Sequence, residues 1–337
     1  MKLFILLVVV VLERSWTALA RWCADRGVQK RVLSLRQRLS AVLGESLALL
    51  VVWFVPPLIL AWFLAWFLAW IDADQGSLLG VLLYLVVSIA TLLLLVAPGQ
   101  AHKKAKALAQ ACQQEDAEHA AQCRAQLWRD GADPIEQADS IEEASPQQLA
   151  ERIITLGFNE WFAVLFWFVV LGPAGALFYR LTDWFAQPPP IINSAVNSGA
   201  NTTANAGAIN ESLPSPHAQT GSFIDALPAR LLALLDWPIA RLYAFLLLLA
   251  GGFNRGLDAW LNGPIKNDLS LAEKNADLIG RVGNASLELE REDDCAEGAV
   301  CLADQSRWYK NASAIVLRAL MIGLGIVALF TLSGWLR

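Results

Sequence analysis

Residues 47–71 read L-A-L-L-V-V-W-F-V-P-P-L-I-L-A-W-F-L-A-W-F-L-A-W-I, 25 residues without a charge. A helix rises 1.5 Å per residue, so this run is about 37 Å long. That exceeds the roughly 30 Å of hydrocarbon in a bilayer, and the excess predicts a tilt or a kink at Pro56-Pro57. Ala-Trp-Phe-Leu occurs at 61–64 and again at 65–68, followed by Ala69-Trp70. Trp62, Trp66 and Trp70 therefore fall four residues apart on one face. Rings in that register suit an aromatic belt or a packing seam better than a binding site. This stretch is a membrane-spanning helix.

Three other runs resemble it. Residues 77–96 are a plain Leu/Val span, 161–179 contain Gly172-Pro173-Ala174-Gly175, and 319–336 lie near the chain end. The small residues at 172–175 permit close packing or a local bend. The whole composition agrees: of 337 residues 56% are hydrophobic and 17% charged, against about 25% charged in soluble domains. A disordered chain, a disulfide scaffold and an ordinary soluble enzyme are excluded. The net charge of −5 disfavours nucleic acid as a partner. The five cysteines, Cys23, Cys112, Cys123, Cys295 and Cys301, have no zinc-site spacing, and no metal site is expected.

Two segments are less regular. Residues 3–12 are apolar and end at Glu13-Arg14; they read as an uncleaved first helix, with a signal peptide as the alternative. Residues 231–253 are interrupted by Asp236, Pro238 and Arg241. They form either a kinked span with two ionisable groups at depth, which is costly and usually functional, or an interfacial insertion anchored by Trp237. Counting both gives an all-α polytopic bundle of about five to six membrane helices.

The charges orient it. Residues 13–45 hold seven Lys/Arg, 98–155 hold six and 251–313 hold seven, while 72–76 and 181–227 hold none. The positive-inside rule then places 13–45, 98–155 and 251–313 in the cytoplasm and the connections between them outside. The expected organisation is helices 1–4 over 1–185 with a cytoplasmic helical hairpin at 98–155, an external loop at 186–222, and helices 5–6 over 223–337 with a cytoplasmic connection at 251–313. Within 98–155, Ser145-Pro146 followed by Gln148 predicts a capped helix start. Pro188-Pro189-Pro190 and the Asn/Ser/Ala/Gly tract after it lack the large apolar residues needed to fold, so 186–222 should be flexible. In 251–313, Asn275, Asp277, Gly280 and Gly283 read as helix or as a loop beside a ligand.

No phosphate-loop, HExxH, GxSxG or EF-hand pattern is present. The candidate ligand-binding residues are polar groups at or near the membrane: Glu13, Arg14, Asn159, Glu160, Asp236 and Arg241. They either converge on a polar cavity or act separately as interfacial charges and helix-fixing pairs. Arg241 should require an anionic partner: Asp236, Glu13, Glu160 or a ligand.

Two stretches carry a resemblance. F-N-E-W-F-A-V-L-F-W-F-V-V-L-G-P-A-G-A-L-F-Y-R-L at 158–181 and L-D-W-P-I-A-R-L at 235–242 resemble membrane elements of the AmpE and CobD/CbiB superfamily. The N-terminal M-K-L-F-I-L-L-V-V-V-V-L-E-R is similar to the AmpE branch. That branch implies a bacterial inner-membrane, multi-pass signalling modulator linked to cell-wall recycling and β-lactamase induction. Its implied partners are a cell-wall-derived ligand or a cytoplasmic amidase, besides the lipid bilayer; self-association into a homo-oligomer stays open. The other branch implies an ATP-dependent amide synthase of the cobalamin pathway, with ATP as cofactor on the resemblance alone. The sequence departs from that pattern: Asn159 stands where an Asp is expected, and H-P-S-P-N-A-G is missing from 264–285. The reading leans away from an enzyme.

Overall fold

The computed structural model describes residues 27–73, 78–95, 100–114, 116–129, 145–186, 226–263, 268–287 and 302–333. Expectations for 3–14 and for the 186–222 loop therefore lie outside the described residues, apart from Ala186 at a helix end. Every regular element described is helical: α1 Gly27–Leu43, α2 Glu45–Ala73, α3 Leu78–Leu95, α4 Gln100–Gln113, α5 Ala117–Arg129, α6 Pro146–Gly157, a π-helical turn Phe158–Phe162, α7 Ala163–Ala186, α8 Leu227–Ala250, α9 Phe253–Leu261, α10 Leu271–Ser286 and α11 Leu302–Leu332. Four stretches among them are long and apolar enough to cross a membrane: Ser46–Ala65, Pro146–Ala186, Leu227–Ala250 and Gln305–Thr331. Residues Tyr84–Leu95 of α3 form a shorter apolar stretch.

Local sequence fixes the helix ends. At α6, Ser145 Oγ accepts from the Gln148 amide at 3.3 Å, and Gln148 Oε1 accepts from the Ser145 amide at 2.9 Å. This is the predicted capping box, with Pro146 at the first helical position. α10 starts the same way at Ser270 and Glu273. α2 continues through Pro56-Pro57 and α8 through Pro238, so 231–250 belongs to one helix, which ends at Gly251-Gly252 before α9 starts at Phe253.

α7 is different. Gly172 has φ +76° and ψ −164°, a region essentially restricted to glycine, and Pro173 follows without an amide hydrogen. The helix divides there into arms at 163–171 and 173–186. The bend anticipated from Gly-Pro-Ala-Gly is present.

The main core joins α3 through α8 with α10 and α11; Leu108, Ile154, Phe168, Tyr243, Leu247, Val282 and Tyr309 are fully or almost fully buried in it. A smaller cluster sets Leu49, Val52 and Trp53 of α2 against Leu181, Trp184 and Phe185 of α7. Val32 and Leu39 of α1 pack on it, as do Leu227 and Leu231 of α8. At hydrocarbon depth such clusters are held by close packing and hydrogen bonds, because lipid tails are as apolar as leucine.

Two contacts bear on topology. Arg36 of α1 lies over the Phe185 ring at 5.9 Å, and Trp53 Nε1 donates to Thr182 Oγ1 at 2.9 Å. The basic beginning of the described chain therefore packs against the end of α7, although charge counting assigns their adjoining connections to opposite faces.

α9 and α10 are not a detached connection. Asn275 Nδ2 donates to the Ala233 carbonyl near the start of α8, at 3.0 Å. The Gly252 amide, just past its end, donates to the Ser286 carbonyl at 2.9 Å. α10 thus follows α8 for most of its length. Asn275, Asp277, Gly280 and Gly283 lie in this helix, which corrects the loop alternative. A Cβ on Gly280 would collide with the Glu151 carboxylate, and one on Gly283 would press on Ile154. The glycines admit α6, and no ligand loop forms there.

Candidate functional site

The seam between α7 and α8 carries the polar groups at depth. Tyr179 is buried on the second arm of α7, and its hydroxyl donates to Asp236 Oδ1 on α8 at 2.9 Å. One residue further along α7, Arg180 donates to Asp183 Oδ2 at 3.0 Å, and its guanidinium lies 5.9 Å from the Trp184 ring centre. Thr182 passes its own hydroxyl proton to the Phe178 carbonyl at 2.8 Å while accepting from Trp53. The bend at Gly172 aims the second arm at these partners. On the other side of α8, Asn275 occupies the Ala233 carbonyl, in the turn before Pro238. The proline supplies no amide hydrogen, so backbone bonding is incomplete in that turn.

Among the described residues Asp236 has no cationic partner. Arg180 is engaged by Asp183. Arg241, five residues along the same helix, donates to the Trp237 carbonyl at 2.9 Å and stacks 4.0 Å above the Trp237 ring centre. Of the partners the sequence left open for Arg241, Asp236 is thus not the one it meets: a carbonyl and a ring take the place of that carboxylate. The reason is geometric. Side chains five residues apart on a helix point about 140° apart, and Tyr179 already holds the Asp236 carboxylate.

The sequence also singled out Asn159 and Glu160, which lie half-buried in the π-helical turn. π-turns leave a backbone group unmatched and often occur at functional sites. Here the Tyr243 hydroxyl donates to the Ile154 carbonyl at 3.2 Å, and the rings of Phe158 and Phe162 pack 5.5 and 5.0 Å from Tyr243. Asp236 is seven residues earlier on α8, about 10 Å along its axis. The candidates thus sit against two different stretches of α8. Glu13 and Arg14 lie outside the described residues. No cluster of three or more His, Cys, Asp or Glu able to hold a metal occurs among the described residues.

Tyr179, Thr182, Trp53 and Tyr243 were missed. Each reads in sequence as one more aromatic or small polar residue in an apolar run. Only a partner 57 to 129 residues away gives it a role.

Comparison with known proteins gives this architecture a context. A family model described as regulatory signalling modulator protein AmpE matches residues 1–184, more than half of the 337. The chain belongs to the AmpE family. No curated relative and no solved structure matches it. The match ends on the second arm of α7, so Trp53, Tyr179 and Thr182 lie inside it while Asp236, Arg241 and Asn275 lie beyond. This AmpE-family chain is accordingly a membrane protein described as a regulatory signalling modulator.

Proposed function

We propose that this chain is a multi-pass protein of the bacterial inner membrane that modulates β-lactamase induction according to the state of cell-wall recycling. Its counterparts would be a cell-wall-derived ligand or a cytoplasmic amidase. The observation that carries the reading is the family match over 1–184, made by a chain with four membrane-capable stretches among its described residues. A signalling role needs an element with two arrangements. The α7–α8 seam offers one, since Gly172 bends one helix and Pro238 removes a backbone hydrogen bond from the other near the Tyr179–Asp236 bond. An acid at that depth is costly, and such residues are usually kept for function. The reading is of a modulator, not a catalyst.

The test replaces the chromosomal copy with Tyr179→Phe or Asp236→Asn and measures both membrane abundance and β-lactamase induction by a β-lactam. Normal abundance with altered induction supports the seam as the relay. Normal induction in both variants, where deleting the gene alters it, removes the seam from signalling. Normal induction after deletion overturns the function itself.

A further inference from the structure

A second polar group lies where α4, α5 and α11 meet, away from the seam. Lys310 on α11 donates to Gln113 Oε1 at 3.0 Å, which brings the neighbouring Tyr309 to the end of α4 beside Cys112. Both Tyr309 and Cys112 are fully buried. Arg124 approaches from α5, where Ala120 and Leu127 close the α4–α5 hairpin. Its guanidinium acts electrostatically on both the Cys112 thiol and Tyr309. Arg124 Nε and Tyr309 Oη are each shut off from solvent without a hydrogen-bond partner, and Arg124 has no ion pair among the described residues. Asp116, at the hairpin turn, accepts from the His119 amide at 3.0 Å. α6 packs on both hairpin helices and contributes Arg152, whose Nε is also buried and unpaired.

The chemistry of this set is one-sided. A guanidinium carries five N–H donors and no acceptor, and a phenol and a thiol add one donor each. Burial pushes the Cys112 thiol up from its ordinary range, against the pull of Arg124, so it stays a neutral thiol and supplies no counter-charge. Buried polar groups are nearly always paired in native proteins. A water could satisfy the phenol but would leave the half-buried guanidinium without an anion. The geometry points to a binding site between α4, α5 and α11 for an anionic oxygen ligand, a carboxylate or phosphoryl group held by the Arg124 fork and the Tyr309 hydroxyl. Arginine suits both anions because its planar fork meets two oxygens at once. The ligand could be a small soluble anion or the phosphate of a lipid headgroup.

The experiment uses the full chain in phosphatidylcholine nanodiscs in chloride buffer, with inorganic phosphate and acetate as soluble probes. Readouts are the melting temperature and, in a variant keeping Cys112 as its single cysteine, the rate of maleimide labelling. One probe should raise the melting temperature and slow labelling. Arg124→Gln should weaken that response about tenfold or more, as expected for lost hydrogen bonds to a charged group, and Tyr309→Phe should weaken it less. A parallel arm adds phosphatidylglycerol to the nanodiscs; a response there but not to free anions assigns the headgroup as the source. No response in any arm, or an undiminished response in both variants, overturns the site. Should Arg124→Gln fail to fold, Tyr309→Phe, which removes a single oxygen, carries the test.

Discussion

The α7–α8 seam and the meeting point of α4, α5 and α11 both bury polar side chains, but they treat them differently. Around the seam Tyr179 finds Asp236, Trp53 of α2 finds Thr182, and Arg180 finds Asp183 through a terminal nitrogen although its Nε stays unpaired. At the hairpin, Arg124 Nε and Tyr309 Oη find no partner among the described residues. A buried pair completed inside the protein holds its helices in the arrangement described, and a change of arrangement has to break that pair. A buried set of unmatched donors does not contribute that stability, and its retention is easier to explain by a partner from outside. The contrast separates a joint between helices from a receiving site.

The sharpest way to break that comparison is to ask which membrane face each region meets, because labelling is all or none. The charge count predicts that a single cysteine at position 205 is labelled from outside intact cells, while 115 and 285 are spared. Position 34, exposed on α1, decides the conflict raised by Arg36–Phe185 and Trp53–Thr182. Labelling at both 34 and 205 would put the start of α2 and the end of α7 on one face, and the bend at Gly172 would then mark a helix that turns back. Labelling at 205 alone keeps the alternating map. Labelling at 115 in intact cells would end it.

Substitutions give the next largest effects, and they should differ in sign between the two regions. Trp53→Ala removes a fully buried ring and the Thr182 bond and should cost about 3–5 kcal/mol. Tyr179→Phe leaves the Asp236 oxygen without its donor and should cost about 1–3 kcal/mol. Arg124→Met should leave stability unchanged or raise it, because an apolar chain of similar volume replaces a half-buried guanidinium whose Nε has no partner among the described residues. Denaturant or thermal melts of the three variants in one detergent check this. A loss with Arg124→Met as large as with Tyr179→Phe would mean that the guanidinium already has a partner, and the contrast would fail.

How much of this was readable in sequence follows from the range of each interaction. The apolar run of α2, the Ser145 capping box and the bend at Gly172-Pro173 depend on neighbours within a few residues, and all three are found. Of the run at 77–96, by contrast, only the shorter apolar stretch Tyr84–Leu95 is found. Arg241 was expected to seek an acid, but local geometry gave it the Trp237 ring and carbonyl instead. Gly280 and Gly283 look like loop residues, and only the approach of Glu151 and Ile154 from α6 explains them in a helix. Asp236 was legible as an unusual residue at depth. Its partner was not, because nothing in an apolar stretch distinguishes Tyr179 from an aromatic that faces lipid.

The smallest effect belongs to α10, which braces the seam through Asn275. Its first turn is held by Ser270 Oγ accepting from the Glu273 amide at 3.3 Å and by Glu273 Oε2 accepting from the Ser270 amide at 2.7 Å. Ser270→Ala should cost about 1 kcal/mol, the usual worth of such a cap. The Ser270 backbone and side-chain bonds hold the Glu273 carboxyl below its ordinary value. A carboxyl depressed in the folded state contributes stability above its unfolded value, roughly pH 4–5, and loses it as pH falls through the folded value. The parent should therefore lose a small increment of stability on acidification that Glu273→Gln does not, since the amide oxygen accepts the same hydrogen bond without titrating. If acid destabilises both equally while Ser270→Ala costs nothing, the cap does not hold α10. The brace on α8 would then rest on Asn275 and the glycine contacts alone.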